Sequence, residues 1–241
     1  MEIQELQEVS GSASEDVRTI DLPCGIVSAD RILRIQRYSD PRRVRPAIRH
    51  AAEEVAALAQ ELQQPRASFR RIAVELCADD TLRLRNGVEF HCRAFPQLLA
   101  GARDVVVFVI TAGARLDLKV IELSESGEGL LEALLLETAG WLCLEHATRA
   151  LISEVRRDTE LRGCRITRRM GPGYTHRVDN MECEWPLPEQ REIFRCFGNA
   201  EIPVTLLSSC AMLPKMSRSG LVGTGLKHDI DEQGAERADD E

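Results

Sequence analysis

Arg169-Met170-Gly171-Pro172-Gly173-Tyr174 is the stretch on which the reading of this chain turns. Two glycines flank a proline, so the backbone bends sharply there, and without Cβ atoms it can approach another group closely while offering its N–H and C=O groups. From these six residues alone, a plain structural turn and a ligand-contacting loop both remain open. The pattern is neither G-x-G-x-x-G nor G-x-x-x-x-G-K-[ST], which disfavours a nucleotide phosphate as the ligand. Cys164–Arg168, just before it, reads as a strand, so the turn closes a strand end.

Upstream, the longest helical pattern runs from Gly129 to about Arg157. Leu130, Leu131, Leu134, Leu135, Trp141, Leu142, Leu144, Ala147, Leu151 and Ile152 cover much of its circumference, so it should be central. Gly140 in its middle costs about 1 kcal/mol relative to alanine and marks close packing or the close approach of another group. Before that helix, Val105–Ile110 is a continuous apolar run, as in a strand buried on both faces. Leu82–Phe90 alternates around Asn86-Gly87 and reads as a hairpin, preceded by a β segment through Phe69, Ile72, Val74 and Leu76. Ser28 caps a short helix that should end near Asp40-Pro41, and a second helix carries Ile48, Ala52, Val55, Ala59 and Leu62 inward until Pro65.

Downstream come a helix opened by Pro188-Glu189-Gln190, a strand at Ile202–Leu207, and a Ser/Gly-rich segment, Met212–Gly220, whose Ser217 and Ser219 could cap backbone groups in a turn. Helices interrupt the strands without regular βαβ alternation. The expected fold is therefore α+β, with a mainly antiparallel or mixed twisted sheet, flanking helices and one long central helix.

The chain has 241 residues, of which 44% are hydrophobic, enough for a sizeable core. Its net charge of -8 belongs to the ends: residues 1–21 and 227–241 each carry about -5, leaving residues 22–226 with a small excess of about +2. Both ends read as disordered acidic tails around one folded unit, 22–226. Aromatic content of 4% supplies no stacking surface interleaved with basic residues, so nucleic acid is not the expected partner. The first twenty residues show neither a basic start nor an apolar stretch, so a cytoplasmic protein without a membrane anchor is expected. The eight cysteines contain no C-x-x-C pair and read as reduced, mostly buried thiols. His50, His91, His146, His176 and His228 are scattered without metal-ligand spacing; His176 stands out only as two residues beyond Tyr174.

The order of the C-terminal blocks gives the glycine turn more weight. It is followed by Leu187-Pro188-Glu189-Gln190-Arg191-Glu192-Ile193-Phe194, then Ile202-Pro203-Val204-Thr205-Leu206, then Met212-Leu213-Pro214-Lys215-Met216-Ser217-Arg218-Ser219-Gly220. The series resembles the activation domain of cobalamin-dependent methionine synthase, with its R-P-A-P-G-Y turn and later M-x-P-x-x-S-x-S-G segment. The likeness extends loosely over residues 26–225, as in small stand-alone relatives of that domain. It departs in lacking an Asp-Trp-Thr-Pro-Phe-Phe segment near the start and the tyrosine-containing strand after the Ser-Gly segment.

The resemblance implies a C-shaped domain that binds S-adenosylmethionine in an extended groove and presents its methyl group to cobalamin held by a partner, a corrinoid-binding methyltransferase chain. A flavodoxin-like reductase would supply one electron, and reactivation of the oxidised corrinoid would follow. The protein would contribute binding and orientation, so no acid–base array is required. By the same resemblance Arg169 would hold the ligand's carboxylate, Gly171 and Gly173 would give backbone contacts, and Tyr174 an aromatic wall. Glu145, on the central helix, could meet the ligand's amino group or simply pair with Arg149 four residues on. A scaffold or regulatory protein that keeps the fold without the ligand is the second reading, and a methyltransferase for a small acceptor the third.

Overall fold

The computed structural model describes residues 16–226 except Ser39, Pro41, Arg42 and Glu128. Its spine is β5 (Asp104–Thr111), the continuous apolar run. Val106, Phe108 and Ile110 point into one core and Val105, Val107 and Val109 into a second. On one side β5 pairs with β2 (Arg66–Ala78), and on the other with β11 (Ser217–Leu226). Beyond β2 lie β3 (Thr81–Leu84) and β4 (Glu89–His91), and β1 (Arg18–Asp21) also pairs with β2. Beyond β11 lies β6 (Cys164–Ile166), which completes a seven-stranded sheet with every pairing antiparallel. The α+β expectation holds, and of the two sheet types left open the antiparallel one is found.

Helices α1 (Ala29–Ile35), α2 (Pro46–Leu62) and α5 (Leu130–Leu161) cover one face, where Ile32, Val55, Leu136 and Ala147 meet the sheet. The other face is closed by α3 (Phe95–Leu98), the hairpin β7 (Thr175–Val178) and β8 (Met181–Glu184), and α6 (Gln190–Arg195). Fully buried Trp185 lies there edge-on to Phe90 and Phe95 at 5.7 and 5.1 Å. α5 has 32 residues, so it is roughly 48 Å long. Gly140 sits where Met216 crosses it: a Cβ there would lie 1.8 Å from the thioether sulfur.

The hairpin at Asn86-Gly87 is present, with Gly87 at φ 82° and Arg83 ion-paired to Glu89 across the strands. Other expectations need correction. The tail read as ending at residue 21 gives its last four residues to β1, because the edge of β2 offers backbone partners from Arg66 to Phe69; residues 1–15 and 227–241 lie outside the described residues. The Met212–Gly220 segment is a turn only at Pro214–Met216, where Ser217 Oγ donates to the Pro214 carbonyl at 2.6 Å. Met212–Leu213 forms β10 against β9 (Thr205–Leu206), and Ser217 begins β11, whose alternating faces are both buried. The strand read as Ile202–Leu207 shrinks to β9, and the first helix stops at Ile35, where Arg37 turns left-handed at φ 65°. Several elements went unread: α3, α4 (Ala114–Glu125), in which only Leu116 is buried, and the β7–β8 hairpin, turned by Asp179 and Asn180 at φ 46° and 65°. Among the described residues, no helix is long and apolar enough to cross a membrane.

Candidate functional site

The glycine turn is seated on β11. Met170 and Leu221 exchange backbone hydrogen bonds at 2.9 Å, and both side chains enter the second core. Gly220 allows this approach, since a Cβ there would stand 2.3 Å from the Met170 carbonyl oxygen. Gly171 lies between the Ser219 carbonyl and the ring of Tyr174, 3.0 and 3.2 Å from where its Cβ would be. Gly173, at φ 81°, turns the chain beneath Leu187. Its N–H donates to the Trp185 carbonyl at 2.7 Å and that of Tyr174 to the Gly171 carbonyl at 3.4 Å, so these two donors serve the fold itself. The Tyr174 ring is left half-exposed.

Because Met170 faces the second core, Arg169 emerges on the opposite, helix-covered side of the sheet. Arg218 of β11 is there too, and both meet the stripe of α5 formed by Glu137, Trp141, Glu145, Thr148 and Arg149, spaced to share one helix face. Arg218 Nη1 donates to Glu145 Oε2 at 2.7 Å and to Thr148 Oγ1 at 3.1 Å. Arg149 Nε reaches Glu145 Oε1 at 3.3 Å, the helix pair foreseen from the spacing. Two turns earlier, Lys215 Nζ meets Glu137 Oε1 at 2.5 Å, and Asp117 of α4 accepts the Lys215 and Met216 N–H groups. Both acidic residues of the stripe are thus already paired with cations from the β10–β11 segment.

Arg169 is the exception. It is half-buried and, among the described residues, makes no hydrogen bond or ion pair. Burial holds its guanidinium below an arginine's ordinary value; neighbouring Arg218 pushes the same way, and Glu145 and Tyr174 oppose. Glu145 is held below the ordinary carboxylate range: burial works against this, but Arg218, by hydrogen bond and charge, and then Arg169 and Arg149 overcome it. Around one carboxylate there are three guanidiniums, and Arg218 keeps a buried Nε without a partner.

The structure therefore brings Arg169, Tyr174 and Glu145 together beside the glycines. Sequence reasoning missed Arg218, Thr148, Lys215 and Trp141. Arg218 could have been found by reading Met216, Arg218, Gly220 and Val222 as one strand face and Ser217, Ser219 and Leu221 as the other. His176 is buried rather than superficial, with a hydrogen bond to the Gly171 backbone and Nε2 unpartnered. The cysteines are free thiols, and burial pushes those of Cys143 and Cys196 up to about 12, far from a reactive thiolate. Two cavities lie elsewhere, one beneath Arg18, Arg70 and Arg71, whose arginines face Asp16, Glu154 and Asp158, and one beside Cys92 and Cys183.

No protein-family description and no curated protein sequence matches the chain. Among solved structures it is similar to one described as the MetH reactivation domain bound to AdoHcy, with a TM-score of 0.57 and 14% identity over 86% of this chain and 78% of that one. That likeness is one of fold: the same arrangement of sheet and helices carries an adenosyl ligand in the other protein.

Proposed function

We propose that residues 22–226 form a module that binds S-adenosylmethionine for the reductive reactivation of a cobalamin-dependent methionine synthase, or a related corrinoid methyltransferase, carried on a separate chain. The observation that carries this reading is Arg169, a half-buried cation without a partner. It stands at the start of the glycine turn, the rings of Tyr174 in that turn and Trp141 on α5 are half-exposed, and a similar fold in another protein binds an adenosyl ligand. An unpaired buried charge is costly, and a ligand carboxylate would satisfy it bidentately. The exposed rings suit the flat adenosine. When bound, the ligand supplies the methyl group and the partner's corrinoid receives it. This chain binds, orients and shields, roles that require no acid–base pair. The slight positive excess of residues 22–226 suits an acidic, flavodoxin-like electron donor.

A scaffold that has kept the fold without the ligand is favoured by one observation, that Glu137 and Glu145 are already paired by Lys215 and Arg218. Isothermal titration separates the two. S-adenosylmethionine and S-adenosylhomocysteine should bind the wild-type protein, and Arg169→Ala should weaken binding by about tenfold or more, the loss of a charge-assisted pair. Absence of heat at millimolar ligand would sink the reading. With a corrinoid-loaded methyltransferase and reductant, the module should raise methylcobalamin formation above the level reached without it.

A further inference from the structure

Arg218 and Glu145 are ion-paired at 2.7 Å beside Arg169. Neither guanidinium has its donors filled: among the described residues Arg169 makes no hydrogen bond or ion pair, and Arg218 Nε is buried without a hydrogen-bond partner. Arg169, just before the Met170 bridge to β11, and Arg218 of β11 both lie near Glu145 of α5, and one carboxylate can accept from both. Thr148 holds the Arg218 head from beneath at 3.1 Å, so the guanidinium keeps its place when its carboxylate partner changes. Glu145 is 30% exposed and also paired with Arg149, so it keeps one cation when it parts from Arg218.

We propose that Arg218 is a specificity residue that exchanges partners on binding: with Arg169 it takes the carboxylate of an α-amino-acid tail, and Glu145, released, takes that tail's ammonium. The proposal rests on the adenosyl reading above and names the class of adenosyl ligand the site selects. Two arginines alone would equally welcome a phosphate. Glu145 makes the difference, because it repels a dianion and attracts an ammonium beside the carboxylate. The pairing of Glu145 in the free protein then keeps the half-buried charges matched until the zwitterionic tail replaces each partner with its like.

Titration with S-adenosylhomocysteine and with 5′-methylthioadenosine tests this, since the two share adenosine and a thioether sulfur and differ in the amino-acid tail. The wild-type protein should prefer S-adenosylhomocysteine by about tenfold or more. In Arg218→Met that preference should fall to about threefold or less, while 5′-methylthioadenosine binds as before and so reports an intact fold; Arg218→Lys should restore part of it. Equal affinities in the wild type, or a parallel loss of both ligands in Arg218→Met, would overturn the exchange and leave the adenosyl reading standing. If neither ligand binds the wild type, the adenosyl reading fails and the exchange with it.

Discussion

His176 shows what a single residue contributes beneath the site. Its ring hydrogen-bonds the Gly171 backbone and its Nε2 is buried without a partner, so protonation would place a charge where nothing compensates it. Burial, and then Arg168 and Arg169, hold it below its ordinary value of 6.5, against the raising effect of the Gly171 bond. The unfolded chain then takes up a proton near 6.5 that the folded protein refuses until the pH is lower. Stability is complete above that value and declines as pH falls below it. Urea unfolding of the wild type should show this loss between pH 7.5 and 5.5, and His176→Gln should show a shallower one; an identical slope would assign the effect to other groups, His146 among them, whose value burial also lowers. At this scale the turn through Gly171 and Gly173 was legible because glycine and proline bear recognisable constraints, while Arg169 and Tyr174 were singled out by the resemblance. Arg218 was not, because nothing local distinguishes an arginine that faces a helix carboxylate from one that faces water; the difference is made by Glu145, 73 residues earlier in the chain.

Among elements, α5 was the most legible and β11 the least. A helix of 32 residues repeats its apolar spacing many times, and even the meaning of Gly140 could be inferred, since glycine at a helix centre needs a reason. The reason is Met216, whose buried thioether occupies the space a side chain would take. Gly140→Leu should therefore destabilise the fold by about 1–3 kcal/mol through overpacking. Met216→Ala in the same protein should recover part of that loss, and a double-mutant cycle by denaturant unfolding measures the coupling. Additive effects would mean that the two residues do not share the space. β11 hid behind its composition: three glycines and two serines lower strand propensity, yet tertiary contacts require small residues there. Gly220 admits the Met170 carbonyl, and Gly223 lies against Ala102 and Thr167. The β7–β8 hairpin carried a readable turn in Asp179-Asn180, both left-handed, but its strands are too short for alternation to speak.

The molecule as a whole is organised by β5, hydrogen-bonded along both edges and buried on both faces. Amide exchange should accordingly be slowest from Val106 to Ile110 and fastest, among strands, in β7–β8 and β9–β10, each of which, among the described residues, pairs within a two-stranded sheet. Comparable protection in the two regions, read by hydrogen exchange with NMR or mass spectrometry, would contradict this ordering. The fold class followed from the lack of βαβ alternation, and the two-sided core from the unbroken run in β5. What stayed hidden was the order of strands, because pairing across the sheet depends on partners far apart in sequence.

That order constrains how the molecule is made. β11 follows every other strand in the chain, yet it sits between β5 and β6 and brings Arg218, Gly220 and the seat of the glycine turn. On the ribosome, the nascent chain reaches its long helix with one edge of β5 still bare. Such an unsatisfied edge is a template for pairing with another polypeptide. Until the final strand slides home, β5 lacks one neighbour and Arg218 has not reached Glu145, so assembly of the candidate site and completion of the sheet are one event.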